Sequence, residues 1–243
     1  MNKVALRMDD VGASTKKYEV YSKNPLGNFL FLKYLPLFRA WGPYRELYSA
    51  EWEQICALLS ECSAKLTVGI TASWVEPSGE LIPFPEKFPR QAEIIKKGVA
   101  SGLLEVANHG LTHCVVGSQL PRLFSSNRNF HREFWDWIPR EVHFAHLKKS
   151  QEIFFDWLGK RPTMLIPPGN IYSADTVEAA DEYGIRKINS YININHDFLV
   201  KVIDSEEIEA FHDREVVLDG LDWLDNKLKQ YKDNPEFVFV GDL

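Results

Sequence analysis

The strongest chemical signal in the chain is Asn108-His109-Gly110-Leu111-Thr112-His113, which sets two imidazoles four residues apart. In an extended strand they would be separated by about 13 Å, too far for both ring nitrogens to reach one ion at about 2 Å. Gly110 permits a turn, and a helical turn would bring the two side chains to about 6 Å at Cβ, close enough to share a cation. Read without partners, the pair is a weak signal that fits two unrelated surface or core histidines better than a metal site.

Three further groups supply those partners. Arg7-Met8-Asp9-Asp10 places adjacent carboxylates together, and neighbouring negative charges favour a compensating cation; a helix cap or a solvated turn is the alternative. Leu165-Ile166-Pro167-Pro168-Gly169-Asn170 is a rigid turn that can present a main-chain N–H near Pro168 or Gly169 to a developing oxyanion. Phe211-His212-Asp213 carries a histidine able to titrate near neutrality. A carboxylate with two neutral imidazoles is a common ligand set for Zn²⁺ or another transition ion.

Each group must be carried by something, and each follows a β-rich run. Seven candidate strands alternate with helical patterns: Val4 to Met8, Lys65 to Ala72, Leu103 to Asn108, Thr163 to Ile166, Arg186 to Ser190, Ile208 to Phe211 and Phe237 to Val240. Leu47, Ile55, Leu58, Leu59 and Cys62 have helical spacing, as do Leu221, Leu224, Leu228 and Tyr231. Ser173 reads as a helix cap, while Gly184 and Gly159 read as helix ends. The alternation predicts an α/β fold, a distorted (β/α) barrel of about seven parallel strands, in which all four groups fall at strand carboxyl ends. No Gly-x-Gly-x-x-Gly follows a strand, so a dinucleotide fold loses its main support.

Two aromatic-rich insertions, at about 13–45 and 115–140, interrupt a single catalytic domain spanning 1–243. Their Trp41, Tyr44, Phe130, Trp135 and Trp137 suit ordered lids that either stack on sugar faces or anchor to the barrel. A net charge of −6 argues against a phosphate-backbone partner, since nucleic-acid binding draws on clustered Lys and Arg and no stretch supplies such a patch. No run of about 18 apolar residues is present, so no membrane span is expected. Three cysteines, Cys56, Cys62 and Cys114, and no signal-peptide core in the first residues point to reduced thiols and a cytoplasmic location.

Together these motifs resemble the NodB-homology polysaccharide deacetylases of carbohydrate esterase family four, in order and in spacing. The resemblance implies that Asp9 is the general base, that Asp10, His109 and His113 hold one divalent ion, and that His212 is the general acid. Zn is the expected ion, with Co, Mn, Fe or Ni as alternatives. The ion would polarise the acyl carbonyl and acidify a water, while a protonated His212 would serve the leaving sugar nitrogen.

The chain departs from the family at Ile166, where members carry an arginine that orients the catalytic aspartate; Arg7, on the same strand face as Asp9, is the expected substitute. Asp197 is a weaker candidate for a further family aspartate, and His131, His143, His146 and His196 read as helix-surface or loop residues. The expected activity is removal of an N-acyl group, N-acetyl first, from an amino sugar in cell-surface polysaccharide assembly of the O-antigen type. Its substrate would be nucleotide-linked or lipid-linked. Deformylation, O-acetyl ester hydrolysis and non-catalytic carbohydrate binding are the alternatives.

Overall fold

The computed structural model describes residues 3–22, 32–115, 132–231 and 235–243. Eight parallel strands form its main sheet: β1 (Lys3–Val11), β2 (Leu66–Ile70), β3 (Leu104–Asn108), β4 (Met164–Leu165), β5 (Lys187–Asn189), β6 (Lys201–Ile203), β7 (Ile208–His212) and β8 (Glu236–Phe237). Seven run in the order β6-β5-β4-β3-β2-β1-β7, curled into an open half-barrel, and β8 adds a short pairing to the start of β1.

Six of the expected strands lie in that series. The seventh member, β6, was not expected: Lys201, Val202 and Ile203 carry no period-2 run long enough to separate them from the preceding loop, and only pairing with β5 defines them. The expected strand at Phe237 to Val240 pairs only at Glu236–Phe237.

Connections between strands carry the helices α1 (Ser49–Glu61), α2 (Phe84–Lys87), α3 (Pro89–Ala100), α4 (Arg140–Leu158) and α5 (Ala174–Glu182). After β7 come α6 (Asp213–Asp219) and α7 (Leu221–Lys229). The expected stops are real. Ser173 Oγ accepts from Thr176 N–H at the start of α5, and Gly159 ends α4 at φ 73°, a left-handed conformation that costs glycine nothing.

Strand alternation sorts the core. Leu6, Met8, Leu66, Val68, Ile70, Leu104 and Val106 point outward and pack with Trp52, Ile55 and Leu59 of α1, Ile95 of α3 and Leu224 of α7. Each fully buried Leu or Ile of that layer contributes roughly 1.5–3 kcal/mol of transfer free energy. Ala5, Ala107, Met164 and Ile166 point inward and meet Val238 and Val240 from the end of the chain. That closing segment fills the amino-terminal mouth of the half-barrel: Val240 N–H donates to Thr67 Oγ1 at 2.9 Å, Gly241 N–H to Glu105 Oε2 at 3.2 Å, and Lys187 Nζ to Gly241 O. The closing segment thus packs the lower layers of the interior, and the four groups of candidate site residues lie at the strand carboxyl ends.

The first insertion holds more structure than a lid loop. It contains a 3₁₀ turn at Ser14–Lys17, another at Leu32–Tyr34, and an antiparallel ribbon pairing Tyr21–Ser22 with Arg39–Trp41. Trp41 stacks on Tyr21 with centroids 5.8 Å apart, and Tyr44 is buried, so these aromatics anchor the insertion. Of the second insertion, Phe130 lies outside the described residues, Phe134 is buried and Trp137 is exposed. No helix among the described residues is long and apolar enough to cross a membrane.

Candidate functional site

Adjacent residues of a regular strand face opposite ways, so Asp9 and Asp10 need a break in the ladder to share one mouth. The break is present. Pairing of β1 with β2 runs Met8 to Val68 and then Val11 to Ile70, three steps along β1 against two along β2, which is a β-bulge at Asp9 and Asp10. Asp10 takes φ 70°, a left-handed conformation that costs a non-glycine residue about 1–2 kcal/mol. Asp9 keeps the inward face of Ala5 and Arg7, and Asp10 is turned toward the same opening.

The histidine turn is built with the same kind of strain. His109 directly follows β3, Gly110 adopts φ 83°, and His113 adopts φ 66°. The expected helical turn does not form: Leu111 to Cys114 make bends, with neither helix nor strand. The result is nevertheless convergence, because Asp10, His109 and His113 each offer a ligand atom within 4.8 Å of the others. His109 Nε2 lies 3.3 Å and His113 Nε2 3.0 Å from Asp10 Oδ1.

Hydrogen bonds on the far side of each ring decide what those nitrogens can do. His109 Nδ1 donates to the Ile166 carbonyl at 2.6 Å, so a neutral ring aims its Nε2 lone pair at Asp10. His113 Nδ1 lies 2.8 Å from Thr15 Oγ1, and donation to that hydroxyl does the same for the second ring. A protonated Nδ1 leaves no lone pair for Arg132, whose Nη1 is also 2.8 Å away; Glu19 Oε1, 3.1 Å from Arg132, meets that charge. Burial and the Arg132 charge push the His113 imidazole down to about 4, so it is neutral at pH 7.

Two lone pairs facing one carboxylate oxygen repel unless a cation or proton lies between them. This donor set, two imidazole nitrogens and one carboxylate oxygen, fits Zn²⁺ and its first-row neighbours. Burial works to raise the Asp10 carboxyl; where a proton on Nε2 takes the place of a cation, hydrogen bonds donated by His109 and His113 outweigh this and hold it well below the ordinary carboxylate range.

Asp9 is buried and fixed from below. Arg7 Nη2 donates to Asp9 Oδ2 at 2.6 Å, while Arg7 Nη1 reaches Asn189 Oδ1 at 2.5 Å and Asn189 Nδ2 donates to Ile203 O at 2.8 Å. Asp9 Oδ1 is buried with no hydrogen-bond partner among the described residues, an unmet acceptor at the mouth. Ile166, just past β4, also faces the interior, buried with Ala5, Ala107 and Met164. His212 is the register partner of Asp9 on β7, half-exposed, with its N–H held by Glu215 Oε2 at 2.9 Å.

Several residues at the site carry no signal in the sequence. Lys16, itself buried, bonds Asp213 beside His212 and pairs with Glu46 Oε2 at 2.7 Å; Tyr44 Oη donates to Asp213 Oδ1 at 3.0 Å. Burial and the neighbouring Glu46 and Asp10 carboxylates push Asp213 up to about 7 against the pull of Lys16. Thr15 and Lys16, adjacent on one 3₁₀ turn, thus tie the insertion to His113 and to the strand end carrying His212. Glu133 accepts from the Leu111 and Thr112 N–H groups of the histidine turn. All of these contacts join segments far apart in sequence.

The remaining expectations divide. Pro168 is buried, and Gly169, at φ 64°, lies against Arg132, whose Nε is 3.2 Å from the position a Cβ would take. Asp197 is exposed on the segment after β5. His143 is not a surface residue: it is buried on α4, with Nδ1 2.9 Å from Thr176 Oγ1. His146 packs beside Glu133, His196 contacts Phe198, and His131 lies outside the described residues. All three cysteines are free.

Among known families, the profile described as polysaccharide deacetylase matches residues 42–188, which takes in both clustered histidines but neither aspartate nor His212. No curated protein matches the chain. A structure of a putative polysaccharide deacetylase from Mycobacterium smegmatis aligns with TM-score 0.55 and 11% identity over 99% of this chain and 87% of that one. A CE4 family pseudoenzyme from Bacillus anthracis aligns at 0.52 and 13%, over 100% of this chain and 65% of that one, so this chain spans slightly under two thirds of its length. The Bc1960 peptidoglycan N-acetylglucosamine deacetylase, in complex with an N-hydroxybenzamide, aligns at 0.52 and 17%, over 99% and 87%. At these identities the likeness is one of fold.

Proposed function

The chain belongs to the polysaccharide deacetylase family, and from that premise we propose that it is a metal-dependent hydrolase removing an N-acyl group, N-acetyl first, from an amino sugar. The observation that carries this reading is the register pairing of Asp9 with His212 at the mouth where Asp10, His109 and His113 converge. A bound divalent ion, Zn²⁺ first, would be held by Asp10, His109 and His113 and would supply Lewis-acid polarisation of the acyl carbonyl and a more acidic water.

Asp9 is the general base. Its Oδ2 is taken by Arg7, which leaves the unpartnered Oδ1 to receive the proton of the attacking water. Arg7 orients that carboxylate through the contact at Oδ2. His212 is the general acid: an amine anion is a poor leaving group, and a protonated imidazole on the strand next to Asp9 can deliver a proton to the sugar nitrogen as the C–N bond breaks. The Pro168-Gly169 turn lines the site, where a main-chain N–H of that segment would steady the acyl oxygen.

The substrate belongs to cell-surface polysaccharide assembly of the O-antigen type, met as a nucleotide-linked or lipid-linked precursor in the cytoplasm; three free thiols are in keeping with a reducing compartment. A formyl group or an O-acetyl ester would use the same residues, and product release from matched formylated and acetylated sugars separates them.

A second reading, a carbohydrate-binding member without catalysis, is favoured by the Arg132 guanidinium, which stands 3.3 Å from His113 Nε2 and would repel a cation. Elemental analysis of purified protein tests between them. One ion per chain, lost in folded Asp10→Ala and His113→Ala variants, supports the hydrolase and justifies a screen of acylated amino sugars. No ion after reconstitution favours binding alone.

A further inference from the structure

The segment joining His109 to His113 has a problem common to all irregular buried backbone: its N–H groups lie out of reach of water and outside any helix or strand ladder. Leu111 and Thr112 are both buried, and an unpaired N–H at either would cost about 1–3 kcal/mol. Both are answered by one side chain. Glu133 Oε1 accepts from Leu111 N–H at 2.7 Å and Glu133 Oε2 from Thr112 N–H at 2.7 Å, with the Thr112 hydroxyl 2.8 Å from Oε2.

We propose that Glu133 is the positioning residue of the metal centre, a carboxylate that holds the turn between His109 and His113 in the strained shape that brings both rings to Asp10. This rests on the metal-site reading above.

Three observations support it. Glu133 is 1% exposed, and an isolated carboxylate buried to that degree would be strongly disfavoured, so its charge is maintained by what it grips. His146, 3.6 Å away, and then the Thr112 backbone and hydroxyl bonds offset burial and hold its pKa below the ordinary value. Room for it exists only because residue 110 is glycine: a Cβ there would overlap the carboxylate. Finally, Glu133 is anchored on its own side, between Arg132, which pairs with Glu19, and Phe134, which is sunk in the core formed with Leu147, Leu165 and Val177. The clamp therefore connects the histidine turn to the seat of α4.

Both carboxylate oxygens face donors, which is why an amide cannot replace them. In Glu133→Gln one contact would set an NH₂ against an N–H, and the turn would lose one of its two ties. Its rings would still be present, and only their placement would suffer.

The test is Zn²⁺ affinity of the full chain, measured by competition with a chromophoric chelator, beside the unfolding temperature of the metal-free protein. Wild type should bind one Zn²⁺; Glu133→Gln should bind it about 10–100-fold more weakly, the range usual for residues that orient metal ligands. Metal-free unfolding should stay within a few degrees of wild type. Glu133→Asp, which keeps the charge but is a methylene too short to reach both N–H groups, should fall between them, and it decides the matter if Glu133→Gln does not fold. A folded Glu133→Gln with affinity within twofold of wild type overturns the proposal while leaving the metal site standing. Absence of Zn²⁺ binding by wild type itself overturns both.

Discussion

Asp9 and His212 lie side by side in one parallel pairing, partners in register on β1 and β7, so the proposed base and the proposed acid leave the sheet at the same height. Asp9→Asn and His212→Gln should each lower kcat by about 100-fold or more, the usual contribution of a positioned proton-transfer group, without loss of the fold. The pH profile separates the two: the acidic limb of the kcat/KM profile should vanish in the first and the basic limb in the second. A limb that survives its own variant would reassign that residue.

The ion pair of Arg7 and Asp9 predicts a rescue. Arg7→Met should lower kcat by about 100-fold, comparable to losing one oriented charge at a reacting centre, and weaken KM little. Adding Ile166→Arg should restore part of that loss, because residue 166 faces the same interior and returns a guanidinium from β4. No recovery in a folded double variant would show that Arg7 does more than orient Asp9.

Gly69 lies directly under the site. A Cβ there would come within 3.2 Å of Asp9 Oδ1 and 3.5 Å of the His109 ring, and only a displacement of a few tenths of an ångström relieves it. Gly69→Ala should therefore reduce activity by about tenfold through misplacement of the base, with an unfolding temperature at or above wild type because alanine suits a strand better than glycine. Equal loss of stability and activity would show that the strand, and not the base, had moved.

His113 gives the metal-free protein a definite pH dependence. Its imidazole is held at about 4 when folded, against about 6.5 when unfolded, so between these values the unfolded chain binds more protons. The stability it contributes is complete above about pH 6.5 and is lost as pH falls toward 4. Urea unfolding at pH 7, 6, 5 and 4 should show a steeper decline in wild type than in His113→Gln, and parallel declines would remove His113 from the account.

Lys16 is buried and enclosed by Asp213 and Glu46. Lys16→Met should destabilise the protein by about 3–5 kcal/mol, since two buried carboxylates are left facing each other. The double variant Lys16→Met with Asp213→Asn should recover much of this. Additive losses would mean that the three groups do not act together.

What the sequence made legible was whatever is local. Asp9 with Asp10, and His109 with His113, are close neighbours whose spacing is itself the signal, and Ser173, Gly159 and Gly184 mark helix ends by backbone chemistry that needs no tertiary partner. Arg7 was legible because strand alternation puts it on the face of Asp9. Thr15, Lys16, Asn189 and Glu133 were not, because each acquires its role from a partner that only the fold supplies: Thr15 from His113 and Asn189 from Arg7. The strand Lys201–Ile203 failed for the same reason, since a three-residue edge strand is defined by its neighbour. His143 looked like a surface histidine because the pattern of α4 does not reveal that α5 covers it.

The bulge in β1 sets the site and the sheet at odds. Asp10 is the extra residue, and removing it would let Met8, Asp9 and Val11 resume an even ladder with β2, relieve a left-handed aspartate and leave every other strand where it is. Such a deletion should yield a sturdier protein in which His109 and His113 no longer face the Asp10 carboxylate. A lineage under pressure for robustness alone would thus drift toward an inert barrel by shedding one codon, and keeping the irregularity is a continuous demand that function makes on the chain.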